Sequence, residues 1–523
     1  MNQLRHLNRY SEYLLNQFDK ELITSSETKV SVNPVVSEVA TWYEKIRNAM
    51  DYREDDVILR AAIERILRRR LMLGGNGDSV AEPLVRELVW ARYFPDASVP
   101  ESLIYKISQT VDLYFSLEKI IKTKHKVNKQ KLNDFILNIL SAEIENILSP
   151  SKDKELIINF LFQIFQKKIN IIDDEEETRD AQVFIAVRRT FGKQDLPLLK
   201  YHLFKQLFGD VTENTKDKIA ENFMKGYKKI EYQITYPLAS VIYTFIKKEI
   251  TPMFILRDVL KQYRGKNTEL VEDEQRFKLA IITECTSQYK KIHAKVQTAI
   301  IRGVIFILIT KAIFALAVEG TFEKYFYGEI FWNSIALNTL FPPVLMILAG
   351  ILISTPNKEN SEKLYLRIEN ILFHNDQLIS KTFRRHSKKG NSTMYSFFIF
   401  LWFLALLLFI GAMNYFLTIL GFTIISRAIF IFFLAIVSFI SYRIHMTAHM
   451  YTISDEKQSI TSVLFDFLFM PFIHLGRQLT ENISKVNILL FIFDMFIETP
   501  FKVIFAFFEQ WFLFLRTQRE KLG

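Results

Sequence analysis

The stretch SFFIFLWFLALLLFIGAMNYFLTI, residues 396–419, decides the fold, because it runs through 24 positions without one charged side chain. As an α-helix it covers roughly 30 Å, the thickness of a bilayer's hydrocarbon core, and nothing in it could satisfy a backbone exposed to lipid except helical hydrogen bonds. Gly421 and Phe422 form a tight turn after it, and a second apolar run follows from about Ile424 to Tyr442. Two earlier runs have the same character, from about Ala299 to Glu319 and from about Ile330 to Ser354. The sequence therefore predicts four spans, paired as 299–354 and 396–442.

Before residue 298 no run reaches the ~18 apolar residues a span needs. Apolar positions recur there at helical spacing instead, as in Val57-Ile58-Leu59, Ala61-Ala62-Ile63, Ile66-Leu67 and Leu71, interrupted by Arg60, Arg65, Arg68, Arg69 and Arg70. Similar patterns cover 100–122, 130–148, 154–171, 178–190, 195–208, 215–234, 237–262 and 273–298. Breakers lie between segments at Asn33-Pro34, Gly74 to Gly77, Ser149-Pro150 and Gly265 to Asn267. Strand signals are nearly absent. The expectation is an all-α chain with a cytoplasmic multi-helix domain over 1–298, helices crossing a membrane, and a basic cytoplasmic loop over 355–395 between the two helix pairs.

Orientation follows from basic residues near the spans. The 355–395 loop holds Lys358, Lys363, Arg367, Lys381, Arg384, Arg385, Lys388 and Lys389, whereas Thr321 to Glu329 holds only Lys324. This places both termini on the cytoplasmic side of the cell membrane. No apolar core run is present in residues 1–22, so no cleavable signal peptide is expected. The net charge of +10 fits basic loops beside anionic headgroups. Nucleic acid is not expected as a partner, for the arginines at 65–70 have no aromatic stacking platform beside them; they read as a solvated face or one near anionic lipid.

The region 443–523 does not form simple spans. Val463 to Leu475 is too short and contains Pro471; Val486 to Arg516, at about 46 Å as a helix, is too long for an upright crossing and contains Pro500. Along the latter, Asn487, Asp494, Glu498, Lys502, Glu509 and Arg516 are spaced by 7, 4, 4, 7 and 7 positions, which makes one polar stripe on an apolar helix. Interfacial or re-entrant amphipathic helices keep the C-terminus cytoplasmic; a hairpin crossing is the alternative.

Chemistry-bearing residues are few. Lys311 falls in the middle of the first span, where a lysine costs about 2.5–3.5 kcal/mol and needs a polar partner. Asp466, Asp494, Glu498 and Asn338 are the candidates, and with Lys502 they form a candidate polar network. A structural ion pair orienting the helices is the plain reading; transport or proton relay is the sharper one. His445 and His449 share a helical face, but no metal-site arrangement surrounds them. Asp173 to Glu177 lack the glycine and spacing of a calcium loop and read as an acidic helix start. Pro342-Pro343 should kink the second span. The lone Cys285 excludes an intrachain disulfide and a cysteine metal site. Phosphate loops, hydrolase triads and zincin motifs do not occur, so neither a catalytic residue nor a cofactor is expected.

Thr310-Lys311, Ala315-Leu316, Glu319, Asn338, Leu340 to Pro343 with Met346, Leu475 to Arg477 and Glu498 to Lys502 resemble an uncharacterised family of bacterial multi-pass membrane proteins. The resemblance implies bacterial origin and topology, and no activity. The leading expectation is a non-enzymatic membrane scaffold or assembly protein, as a homo-oligomer or with a protein partner at the cytoplasmic domain. The alternative is an oligomeric channel or transporter using Lys311 and the Asp494/Glu498 stripe.

Overall fold

A computed structural model describes residues 7–20, 28–32, 55–72, 75–353, 355–373, 380–385 and 392–453, with scattered positions in 34–44, 470–478 and 507–518. The chain is all-α, with an N-terminal helical region followed by four long apolar helices in its C-terminal half. In chain order the described helices are α1 (Arg9–Phe18), α2 (Asp55–Met72), α3 (Gly77–Trp90), α4 (Ser102–Lys124), α5 (Lys129–Leu148), α6 (Lys152–Lys168), α7 (Glu176–Thr190), α8 (Leu196–Phe208), α9 (Lys216–Ile234), α10 (Ala239–Gln262) and α11 (Asn267–Glu272). There follow α12 (Glu274–Phe314), a π-helical turn (Ala315–Gly320), α13 (Thr321–Tyr327), α14 (Trp332–Leu352), α15 (Lys358–Phe373), α16 (Ser392–Ile419) and α17 (Ile424–Ala448).

Local chemistry explains the helix ends. Asn76 caps α3 by accepting from the Ser79 N–H, while the Ser79 hydroxyl accepts from the Asn76 N–H. Asp195 and Asp273 cap α8 and α12 by accepting from the Leu198 and Arg276 N–H groups. At the end of α16 the Phe422 N–H bonds to the Leu417 carbonyl and the Gly421 N–H to that of Thr418. This Schellman closure needs Gly421 at φ +77° and buries Phe422 against Leu417. The expected tight turn is present.

Two cores divide the N-terminal region. One joins α2–α5, α8 and α9 around Ile63, Leu84, Val111, Ile136, Phe204 and Phe223. The other starts at Leu14 and Phe18 of α1, continues through Ile157, Val187, Ile246 and Phe277, and extends to Ile307, Met346, Phe433 and Val437 among the apolar helices. Residue 298 marks no break: the helix expected over 273–298 and the span expected from 299 are one 41-residue helix, α12.

The 355–395 segment, read from sequence as a loop, differs most from expectation. Its α15 buries Leu364, Tyr365, Ile368, Ile371 and Leu372 in that second core. Strand β2 (Lys381–Arg384) pairs parallel with β1 (Ile169–Ile172). Asn8 donates to the Ile371 and Leu372 carbonyls, and Arg385 pairs with Asp174 at 3.3 Å. The spacing 364, 365, 368, 371, 372 is helical; counting charges alone conceals it. Strands of four residues are too short to show an alternating run, which is why they escape the sequence.

Four helices are long and apolar enough to cross a membrane: the α12–α13 rod, α14, residues 396–419 of α16, and α17. Gly303 and Gly350 bring α12 and α14 close, since a Cβ on either would lie 2.7 Å from Met346 Cε or Ile300 Cδ1 respectively. The helices expected within 463–475 and 486–516, with Asp466, Asp494, Glu498 and Lys502, lie outside the described residues except for scattered positions.

Candidate functional site

The arginines of α2 are each matched to a carboxylate. The cluster on α2 is no solvated face: Arg60 is 2% exposed and binds Glu64 at 2.6 Å and Asp195 at 2.7 Å. Arg65 pairs with Glu44 and Arg68 with Asp134, both at 2.8 Å, while Arg69 and Arg70 share the buried Glu87. Burial works against the Arg60 charge, but its two carboxylates outweigh that and raise its pKa. Asp174 accepts from the Tyr236 hydroxyl at 2.8 Å, and Glu175 starts α7 as expected of the acidic run.

A cleft of about 720 Å³ opens beside this region, with Lys152, Gln194, His202, Arg257 and Lys261 on its walls. Burial, with Arg188 and Lys205 nearby, pushes the His202 pKa down to about 2, so its imidazole is neutral at ordinary pH.

The apolar helices hold the more distinctive group. Lys311, Glu319, Glu323, Asn338 and Ser426 are each 0% exposed. An α-helix turns about 100° per residue, so eight positions would leave Glu319 about 80° away from the face of Lys311. The π turn at Ala315–Gly320 absorbs the additional residue and brings the two onto one face. The Lys311 Nζ then lies 3.9 Å from Glu319 Oε2 and 5.0 Å from the ring centre of Phe433.

From Glu319 the polar contacts continue toward the α13–α14 junction. Asn338 Nδ2 donates to Glu319 Oε1 at 2.7 Å and to the Ser426 carbonyl at 3.1 Å. The Ser426 and Thr423 hydroxyls each donate to Glu323 Oε1 at 3.2 Å, and the Phe331 N–H donates to Glu323 Oε2 at 2.9 Å. Lys311 Nζ, Glu319 Oε2, Asn338 Oδ1, Ser334 Oγ and Thr339 Oγ1 are buried without a hydrogen-bond partner. Pro342 and Pro343 sit inside α14, and having no N–H they also deprive the carbonyls of Asn338 and Thr339 of their helical hydrogen bonds.

Of the predicted network, Lys311 and Asn338 meet here; Asp466, Asp494, Glu498 and Lys502 lie outside the described residues. The acidic partner of Lys311 is Glu319, which the sequence reading placed only as the end of a span. Glu323, Thr423 and Ser426 were missed. Two glutamates four apart beyond an apolar run were the available signal, hidden because regular helical geometry does not align Glu319 with Lys311. The rings of His445 and His449 stack with centres 4.1 Å apart, and His449 Nδ1 lies 2.9 Å from the His445 carbonyl. Among the described residues no three His, Cys, Asp or Glu side chains converge as a metal site. Compared with protein families, with curated proteins and with solved structures, the chain finds no match.

Proposed function

We propose that this is a bacterial multi-pass protein of the cell membrane that holds its helical N-terminal region against the cytoplasmic face and serves as a scaffold for assembly. One observation supports this reading above all: a single apolar core runs from α1 through α12 and α15 into α14 and α17. A tethered domain would join its anchor by a linker and move independently. Here α12 passes from one region to the other without a break, and α15 and β2 return from between the helix pairs to pack on α1, α10 and β1. Such a body presents a fixed surface at a fixed height above the lipid. The basic residues of 355–395 support a cytoplasmic side, and anionic headgroups, a second copy of the chain or a protein partner are the contacts this reading assigns it.

Cysteine labelling tests the arrangement. Cys285 is buried, so a thiol introduced by Lys381→Cys or Tyr325→Cys supplies the signal. An impermeant reagent should label Lys381→Cys only in inside-out vesicles and Tyr325→Cys only in right-side-out ones, and the detergent-solubilised protein should run as a homo-oligomer or a stoichiometric complex. Reversed labelling, or a monomer without partner that conducts ions in liposomes, defeats the scaffold reading. The channel or transporter alternative is supported at its Lys311 end by the buried cluster, while its Asp494/Glu498 end lies outside the described residues.

A further inference from the structure

The polar cluster between α12, α14 and α17 carries charges that do not balance. Two carboxylates, Glu319 and Glu323, face one ammonium, Lys311, and all three are fully buried. Other charged groups on the packed elements turn elsewhere: α14 has none between Trp332 and Leu352, Lys324 and Glu329 lie at the α13–α14 junction, and Arg302 is nine residues before Lys311. On α17, Arg427 is held by Asn414 and Thr418 of α16, while Arg443 and His445 belong to its opposite end. A net negative charge among apolar helices is costly unless another positive charge joins it.

The hydrogen bonds say where that charge would go. Glu323 is fully engaged, receiving two hydroxyls and one backbone N–H. Glu319 is engaged on one oxygen only; the other stands 3.9 Å from Lys311, too far for a hydrogen bond, whereas Arg60 and Arg65 on α2 sit between 2.6 and 2.8 Å from their carboxylates. Lys311 Nζ, beside that oxygen, and Asn338 Oδ1 are also unpartnered. The cluster has two unlike ends. Glu323, Thr423 and the Phe331 N–H reach the turns at Gly328 and Gly421, where Tyr325 and Trp332 are exposed as at a membrane–water boundary. Toward the N-terminal region, Ile307, Met346, Phe433 and Val437 close it with apolar surface.

We propose that Glu319 is a proton-binding site set beside Lys311. A proton taken from water converts its carboxylate to a carboxylic acid; Lys311 stays an ammonium and Glu323, which accepts from three donors, stays a carboxylate, so the cluster becomes neutral. Release returns the proton to water. The π turn is what makes the site, since only it sets Glu319 on the face of Lys311. This goes beyond the scaffold reading and shares with it only the premise that the helices lie in a membrane.

Infrared difference spectroscopy on the full chain in liposomes tests it. Acidification should produce a carboxylic-acid carbonyl band of apolar surroundings that shifts on exchange into D2O. Glu319→Gln should abolish the band; Glu323→Gln should keep it. Should Glu319→Gln not fold, Glu319→Asp must move the band without removing it. A wild type with no titrating carboxylic band overturns the proposal, as does a band unmoved by the change at Glu319 or abolished by the change at Glu323.

Discussion

Both regions of this protein bury charge, and they treat it in opposite ways. On α2, Arg60 is enclosed by Glu64, Asp195 and the Ser141 hydroxyl, and its neighbours each find a carboxylate at hydrogen-bond distance. Between the apolar helices, Lys311 approaches Glu319 without touching it, and five polar atoms there, one from each of them included, stay unpartnered. A matched network fixes geometry, since each charge has one place to go; an unmatched one in low dielectric keeps a free energy that a proton or a water can still collect. The first arrangement therefore reads as architecture and the second as a site.

The largest expected effect lies on the architectural side. Removing one partner from a buried ion pair costs about 3–5 kcal/mol, because the other charge stays behind. For Arg60→Met the low end applies, about 3 kcal/mol, as the side chains of Glu64 and Asp195 keep 19% and 22% of their exposure and can regain water. Denaturant unfolding of the full chain in mild detergent would measure it. A loss below about 1 kcal/mol, the scale of surface pairs, would mean that α2 is not locked by these contacts and would erase the contrast.

What could be seen in the sequence follows the same line between regions. The long apolar helices are legible because a segment fit to cross a membrane must be apolar at nearly every position, and the runs at 299–319, 330–354, 396–419 and 424–442 come close to that rule. The N-terminal helices show through spacing, to within two or three residues for most of them. Partners were not legible. The arginines at 60–70 look solvated in sequence since their carboxylates come from Glu44, Glu87, Asp134 and Asp195, far along the chain. Glu319 was hidden from Lys311 by a single π turn. α15 was hidden by its own basic residues, of which Arg367 turns out to pair with the buried Glu249.

An effect that is smaller per pH unit probes whether the N-terminal region tolerates any unmatched charge. His202 is half-buried on the cleft wall with Arg188 and Lys205 near, and its pKa is lowered to about 2. The unfolded chain binds a proton near the ordinary imidazole value of about 6.5, so between those two values the unfolded state holds more protons than the folded one. Stability from this group is complete above that window and is lost as pH falls through it, at up to about 1.4 kcal/mol per pH unit. His202→Gln should flatten that part of the profile. An identical slope in wild type and variant would show that His202 takes up its proton without unfolding, and the region would then be less strictly neutralised than its ion pairs imply.

The smallest expected effect is the most discriminating, because it asks what the apolar cluster contributes to folding. Lys311→Met alone leaves Glu319 and Glu323 buried with no ammonium beside them and should lower the unfolding midpoint. Adding Glu319→Gln removes the second charge while keeping the shape and an acceptor for Asn338. Replacing a buried ion pair by uncharged groups of similar size is often neutral or stabilising, and this pair has less to lose than most: at 3.9 Å it forms no hydrogen bond. The double variant should therefore unfold at or above the wild-type midpoint, where Arg60→Met falls well below it. If the double variant loses as much as Arg60→Met, Lys311 and Glu319 are architecture after all and the two regions follow one rule. If it does not, folding alone gives no reason for two opposite charges and a π turn in the middle of an apolar bundle, and their reason has to be sought in what they bind.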